Sequence, residues 1–473
     1  MKRLALVVSL AAVMTGCTTR YQVRGIEPAL EPFPDDLKTF ESDRLTQLDF
    51  ESRSVERFAT PPFTVGVIEF TDEGVTNEAQ YTQVRTQFER ALDSGTGVLL
   101  VIFAHGWHHS CRTCDRDLAC FRRVLSSLAE GELRGRRRTV FGVYLGWRGA
   151  SMVGNFDYLT LWNRKYVAEH IGRTGAKEVL AYFHEQWRRR KNTDCRITMI
   201  TVGHSLGGAM VFSAARGKLT GDVGDIYSPE ALPTIRLTRT SEPRSKAFGH
   251  KAIRARFGDL LMLVNPAIQA SDYDPFNNDV TGGRQQLPDD GMPFSNDQLP
   301  VLVTFASTAD TAVGRMFPLA AWISGFNVFA NAKTLFSTRR RTGMGRYAPH
   351  VTHTLTLDVS REKFSTGARG CFCTKQWRDP DLQLDETPLD LAKESITWST
   401  SGKTPTHLRF NLSKARHGSW DVNSPYLVIQ TNEGVITEHS DIFNPLFVGV
   451  LRKMVQKMDD RIDAMRAAGV EYY

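Results

Sequence analysis

Short apolar runs of strand length alternate along this chain with longer stretches whose apolar residues recur at helical spacing. Tyr81, Val84, Phe88 and Leu92, for example, fall on one face of a helix. This alternation predicts an α/β fold with a mostly parallel central sheet, right-handed crossovers and helices on both faces. The predicted strands are residues 63–70, 98–104, 141–145, 197–202, 260–264, 300–305 and 426–430, and longer helices are predicted at 165–189, 208–215 and 443–468.

Two intervals lack this alternation. Residues 18–60 are polar, mix both signs of charge and contain several prolines, which predicts a tether. The interval from about 320 to 424 predicts an insertion that hangs above the sheet before the last strand. Residues 61–473 are therefore expected to form one α/β domain carrying this insertion. An uncharged stretch at 317–330 fits a lid or the lining of an acyl pocket, and equally a buried helix packed on the sheet.

The first 17 residues have the layout of an export signal. Lys2 and Arg3 precede an apolar run at 4–13, which is too short to span a bilayer and ends in small residues before Cys17. This ending resembles the bacterial lipobox, whose cysteine is lipidated and becomes the first residue of the mature chain. The resemblance implies a lipid anchor in the bacterial cell envelope, with Thr18 favouring the outer membrane. An ordinary secretory signal, with Cys17 incidental, remains open.

Composition is that of an ordinary globular protein, with 473 residues, 41% of them hydrophobic and 23% charged. The net charge of +7 includes basic clusters at 134–138, 188–191 and 339–341. Such clusters are typical of solvated helix ends and loops, and attraction to anionic lipid headgroups is the alternative. No motif indicates a nucleic-acid partner.

Six cysteines follow Cys17, an even number that in an exported protein favours disulfides of undetermined connectivity. Cys371 and Cys373 flank a single residue and are expected to bond elsewhere rather than to each other. A zinc site is the minority alternative, because no second ligand pair follows the first at finger-like spacing. The six cysteines are Cys111, Cys114, Cys120, Cys195, Cys371 and Cys373. The candidate zinc ligands are His108, His109, Cys111 and Cys114.

Gly203-His204-Ser205-Leu206-Gly207 joins a β-branched strand directly to a helix of small residues. A turn this sharp forces the serine into a strained backbone conformation and raises its hydroxyl clear of the sheet. Glycines two before and two after are needed because a Cβ there would collide with the neighbouring strand or helix. Ser205 is therefore the candidate nucleophile.

A serine nucleophile needs a positioned base and an orienting carboxylate, and in an open parallel sheet these gather at the carboxyl ends of strands. Asp310, which closely follows the late strand at 300–305, is the favoured carboxylate. Asp272 and Asp274, after the strand at 260–264, are its competitors.

His439 is the favoured base among the 12 histidines, since it follows the last strand and directly precedes the last helix. His417 would lie at the wrong end of that strand. His350 and His353 fall in the predicted insertion, where surface or hydrogen-bonded roles are expected. His204 is adjacent to the nucleophile and should point elsewhere.

The order Ser205, Asp310, His439 resembles that of α/β-hydrolases. The resemblance extends to His105-Gly106-Trp107, which ends an early strand as the oxyanion loop of that family does, and to Leu145-Gly146-Trp147-Arg148-Gly149. It implies that the backbone N–H groups of Trp107 and Leu206 hold the oxyanion. Residues 61–213 and the stretch from 425 onward look like bacterial esterase/lipase-like hydrolases.

Together these observations predict a membrane-anchored serine hydrolase of carboxylic esters, lipid esters among the candidate substrates, working through an acyl-enzyme without metal or organic cofactor. Acyl transfer to an alcohol uses the same triad and is the enzymatic alternative. A catalytically silent, hydrolase-like envelope lipoprotein that binds a partner is the alternative from another class.

Overall fold

The molecule is described by a computed structural model. Its described residues are 46–52, 54–112, 115–149, 161–220, 256–276, 299–316, 341–357, 395–399, 407–412 and 425–469. Residues 1–45, which include the predicted signal and Cys17, lie outside them, as do the stretch at 317–330, Cys371, Cys373 and His417.

The strands of the described residues form a single sheet in the order β1-β2-β3-β5-β4-β6-β7-β8-β12-β9-β11-β10. From β3 through β12 every neighbouring pair in this order is parallel, whereas β2 pairs with β3 antiparallel and β9 with β11 antiparallel. The predicted α/β fold with a mostly parallel sheet is therefore confirmed. The strands are β1 Thr46–Ser52, β2 Val55–Thr60, β3 Pro62–Glu69, β4 Val98–Ala104, β5 Thr139–Gly146, β6 Ile197–His204, β7 Leu260–Val264, β8 Leu302–Ser307, β9 His353–Leu357, β10 Ser395–Ser399, β11 His407–Leu412 and β12 Tyr426–Thr431.

Helices cover both faces of the sheet. Phe141 of β5 packs its ring on Phe88, whereas Tyr144 of the same strand packs on Phe121. Residues an odd number apart in a strand point to opposite faces, so the helices carrying Phe88 and Phe121 lie on opposite sides. The helices are α1 Glu78–Leu92, α2 Arg116–Arg134, α3 Leu161–Arg173, α4 Gly175–Arg190, α5 Leu206–Thr220 and α6 Pro445–Ala467.

Side-chain caps begin several of these helices. Asn77, Asp115 and Asn444 each accept a hydrogen bond from a backbone N–H in the first turn of α1, α2 and α6. At the other end, the basic clusters at 134–138 and 188–191 coincide with the ends of α2 and α4, where positive charge complements the helix dipole. No helix in the described part of the chain combines the length and apolar character needed to cross a bilayer.

The tether predicted for residues 18–60 ends earlier than expected, because β1 and β2 lie inside it. Val55 and Phe58 of β2 are buried, and Glu56 between them is 0% exposed. Arg122 of α2 neutralises Glu56 with two hydrogen bonds of 2.7 Å, from Nε and from Nη2. Glu56, one of the charged residues behind the tether prediction, is thus paired inside the core. Its partner is distant in the sequence, so local composition does not reveal the contact.

The insertion predicted for residues 320–424 is also corrected in part. β9, β10 and β11 lie within it and extend the sheet, since β9 pairs in parallel with β12 and the β11–β10 hairpin continues the edge. The prediction rested on the strand–helix alternation that marks parallel crossovers, whereas β10 pairs antiparallel with β11 and β11 antiparallel with β9.

The Glu56–Arg122 pair generates a stability prediction. Glu56→Gln should lower the free energy of unfolding by about 3–5 kcal/mol, because it leaves a buried guanidinium without its counter-charge. Glu130→Gln is the control: its carboxylate lies 4.0 Å from Arg134, whose side chain is 77% exposed, and its loss should cost less than about 1 kcal/mol. Chemical denaturation measures both. Equal losses would mean that β2 is not docked as described.

Candidate active site

Ser205 occupies the turn between β6 and α5 with φ of 55°, in the left-handed region that residues other than glycine rarely adopt. Its backbone is held from both sides. Its N–H donates to the carbonyl of Val264 at the end of β7 (3.1 Å), and its own carbonyl accepts from Ala267 (3.0 Å) and from Ala209 in the first turn of α5 (3.3 Å). These bonds stabilise a conformation that would otherwise be strained.

The glycines that flank Ser205 occupy positions without room for a side chain, as the motif predicts. A Cβ on Gly203 would lie 2.4 Å from Val211 and 2.7 Å from the Cα of Gly208. A Cβ on Gly207 would lie 2.2 Å from the carbonyl oxygen of Ala104 and 2.4 Å from that of His105. The start of α5 therefore rests directly on the end of β4.

Ser205, His439 and Asp310 form one hydrogen-bonded chain. His439 Nδ1 lies 2.7 Å from Asp310 Oδ2, and His439 Nε2 lies 2.7 Å from Ser205 Oγ. A carboxylate only accepts, so Nδ1 carries the ring proton and Nε2 is free to accept the hydroxyl proton of the serine. The three residues chosen from the sequence are thus in contact, in the arrangement of a nucleophile, base and orienting acid.

Asp310 is 1% exposed in the loop after β8. Burial alone raises its pKa, but the hydrogen bond and charge of His439, the backbone N–H of Val313 and the charge of Arg346 outweigh this and lower it. The Val313 N–H reaches Oδ1 at 2.9 Å. The carboxylate is therefore ionised at neutral pH, with one oxygen held by the loop and the other turned to the imidazole.

The competing residues serve other contacts. Asp272 accepts a hydrogen bond from the backbone N–H of Gln269 (3.0 Å), and Asp274 lies 3.5 Å from buried His350. His353 begins β9 and contacts the hydroxyl of Thr352 (2.9 Å). His204 points away from Ser205 Oγ, with its Nε2 at the backbone carbonyl of His439.

The predicted oxyanion donors flank the serine. Leu206 is the first residue of α5, a position whose N–H has no acceptor within the helix. Gly106 lies against Ser205, since a Cβ on Gly106 would approach the Cβ of Ser205 to 2.9 Å. Trp107 is the next residue after Gly106 in this loop. Their role as an oxyanion hole remains a prediction.

His105 anchors the loop that carries Trp107. Its Nε2 accepts from the backbone N–H of Trp147 (3.1 Å), its carbonyl accepts from the Trp147 indole (3.1 Å), and its Nδ1 donates to the Gly106 carbonyl (2.9 Å). Burial lowers the pKa of His105 to about 4. The ring is therefore neutral, and it serves as a structural link between β4 and β5.

Two residues of the site went unnoticed in the sequence. Asn265, directly after β7, has φ of 44° and is 1% exposed. It hydrogen-bonds to Ser307 at the end of β8 and to the backbone of His439. Arg346 donates a short hydrogen bond to the backbone carbonyl of Asp310. The available signal for Asn265 was a polar residue ending an apolar strand at the edge where Ser205, Asp310 and His439 meet. Arg346 had none, because it comes from the region assigned to an insertion.

The residues considered for zinc are arranged differently. His109 contacts Asp115 (3.1 Å) and Asp117 (3.3 Å), Cys111 packs against Gly146, and Cys114 lies outside the described residues. Within the described ranges, no three His, Cys, Asp or Glu side chains are grouped as metal ligands. Of the other cysteines, Cys120 is disulfide-bonded and Cys195 is a free thiol.

Comparisons of this chain with family models, with curated proteins and with solved structures find no match.

The close approach at Gly207 generates a prediction. An alanine in a helix normally stabilises relative to glycine by about 1 kcal/mol, but Gly207→Ala should destabilise by about 1–3 kcal/mol because its methyl overlaps the end of β4. Gly131→Ala is the matched control, in α2 with nothing within 4 Å of its Cβ, and should raise the melting temperature. If both variants melt higher than the wild type, α5 does not rest on β4 as described.

Proposed function

We propose that this protein is a serine hydrolase of the α/β-hydrolase type that cleaves carboxylic esters, lipid esters among them, through an acyl-enzyme. The observation that carries the proposal is the continuous chain Ser205–His439–Asp310, with both links at 2.7 Å. The left-handed turn at Ser205 and the order of the three residues along a mostly parallel sheet support the same class.

The proposed reaction has two halves. Ser205 Oγ attacks the ester carbonyl while His439 Nε2 accepts its proton, and Asp310 stabilises the imidazolium that results. The backbone N–H groups of Leu206 and Trp107 hold the oxyanion. As the intermediate collapses, the C–O bond to the alcohol breaks and His439 returns the proton to the leaving oxygen. Water then attacks the acyl-enzyme with the same base, which releases the acid and restores Ser205.

Substitution of the triad tests this proposal. Ser205→Ala should abolish hydrolysis of short-chain aryl esters, a loss of about 10⁴-fold or more. His439→Ala should be nearly as damaging. Asp310→Asn should also lower activity, because its amide would donate to Nδ1 and favour the wrong tautomer. Its loss should be somewhat smaller, because the nucleophile and the base are still present. The triple variant should be little worse than Ser205→Ala, since residues that act as a unit lose activity together.

Steady-state kinetics on purified protein measure these losses, with esters of graded acyl length to define the substrate. Asp272→Asn is the control, because its carboxylate caps a turn away from His439, and it should retain activity. A folded wild type that hydrolyses none of the esters would favour the silent, partner-binding alternative. An inactive Asp272→Asn beside an active Asp310→Asn would reassign the acid.

We propose further that the protein is anchored in the bacterial envelope by a lipid on Cys17. The support is the short apolar run that ends in Thr15-Gly16-Cys17. Cys17→Ser should move the protein from the detergent fraction to the soluble fraction or leave its signal uncleaved. Unchanged fractionation, with no lipid mass on the wild-type N-terminal peptide, would contradict this.

A further inference from the structure

The backbone carbonyl of His439 accepts hydrogen bonds from two buried side chains. His204 Nε2 lies 3.0 Å from this oxygen, and Asn265 Nδ2 also lies 3.0 Å from it. A backbone carbonyl only accepts, so both nitrogens donate. The loop between β12 and α6 is thus held at the residue that carries the proposed base.

Both donors lie at the ends of buried strands of the sheet. His204 is the last residue of β6 and is 2% exposed, and Asn265 directly follows β7 and is 1% exposed. The orientation of the Asn265 amide is determined by its surroundings: its Oδ1 accepts from the backbone N–H of Ser307 at 2.9 Å. Its NH₂ group consequently faces His439. The ends of β7 and β8 are therefore linked to the histidine loop through one amide.

The state of His204 follows from the same geometry. Its Nε2 carries the proton that it donates, and burial lowers its pKa, so the ring is neutral. Its Nδ1 lies 3.9 Å from Asp117, beyond hydrogen-bonding distance, and a Cβ on Gly106 would approach this nitrogen to 2.9 Å. The ring is thus confined between the oxyanion loop and His439, with its donor directed at the carbonyl.

We infer that His204 and Asn265 are positioning residues that set the location of the His439 imidazole. The inference rests on the proposed function, since it assigns the two residues a purpose in that site. His439 must present Nδ1 to Asp310 and Nε2 to Ser205 at the same time, and a shift of its backbone by about 1 Å would disturb the geometry of both contacts. Misplacement of this size commonly costs on the order of 10²-fold in rate.

Substitutions of the two donors test the inference. His204→Leu removes the donor and should lower kcat for an aryl ester by about 10- to 100-fold with little change in KM, because it displaces the base rather than the substrate. His204→Gln places an amide N–H near the same point and should recover part of the loss. Asn265→Asp keeps the acceptor for Ser307 and tolerates the positive φ, but it replaces the donating nitrogen with oxygen. It should also lower kcat.

The matched control is His170→Leu. His170 of α3 makes the same kind of bond, from Nε2 to the backbone carbonyl of Glu73 at 3.1 Å, and should leave kcat unchanged. The melting temperature of each variant and the second-order rate of fluorophosphonate labelling separate misplacement of the base from unfolding. A folded His204→Leu should label more slowly than the wild type by the same factor as its loss in kcat.

The outcomes distinguish the two proposals. Wild-type protein that neither labels nor hydrolyses esters would overturn the proposed function, and this inference with it. Wild-type activity that disappears in Ser205→Ala, together with folded His204→Leu and Asn265→Asp variants that label at the wild-type rate, would overturn this inference alone. Equal losses in His204→Leu and His204→Gln, or a loss mainly in KM, would also contradict it.

Discussion

The site depends on one close contact, the approach of helix α5 to the end of strand β4. Gly207 makes it possible, because a Cβ there would lie 2.2 Å from the carbonyl oxygen of Ala104. With α5 seated so closely, the chain between β6 and α5 has to reverse within one residue, which places Ser205 at φ of 55°. The same contact brings Gly106, and therefore the loop of Trp107, against the serine. The positions of Ser205 and of the Trp107 loop, the proposed nucleophile and oxyanion loop, thus follow from a single packing constraint.

Parallel strands extend this constraint across the sheet. β6, β7, β8 and β12 are successive neighbours, and the residues that follow them converge at one edge. Asn265 connects the ends of β7 and β8 to the histidine loop, and the hydroxyl of Ser307 reaches the carbonyl of Ile436 at 2.7 Å in that loop. The loop that carries the proposed base is consequently held by side-chain donors at the ends of β7 and β8, as a preorganised site requires. This explains why residues so distant in sequence can meet within 2.7 Å.

The central strands and the three residues Ser205, Asp310 and His439 could be predicted from the sequence, but for different reasons. Ser205 could be predicted from its immediate neighbours. A sharp strand-to-helix turn explains at once the flanking glycines, the strand before the serine and the helix after it. Asp310 and His439 followed from a topological rule, that the ends of parallel strands share one edge. The same rule places Asn265 at this edge, but its hydrogen-bond partners are backbone atoms that no local pattern identifies. Arg346 could not be found this way, because it comes from the region assigned to an insertion. β2 was not predicted because its charged residues suggested a solvated tether. In the fold its Glu56 is paired with Arg122, 66 residues away. β9 to β11 were not predicted because the prediction relied on parallel crossovers, whereas β9, β11 and β10 pair antiparallel with one another.

The central claim is that Ser205 is a nucleophile activated by His439. Peptide mapping by mass spectrometry after reaction with a fluorophosphonate tests it most directly, because such a reagent modifies only an activated serine. We expect a single phosphonyl group on the peptide that contains Ser205, and none in folded His439→Ala protein. An unmodified Ser205 in folded wild type, or equal modification in the absence of His439, would contradict it.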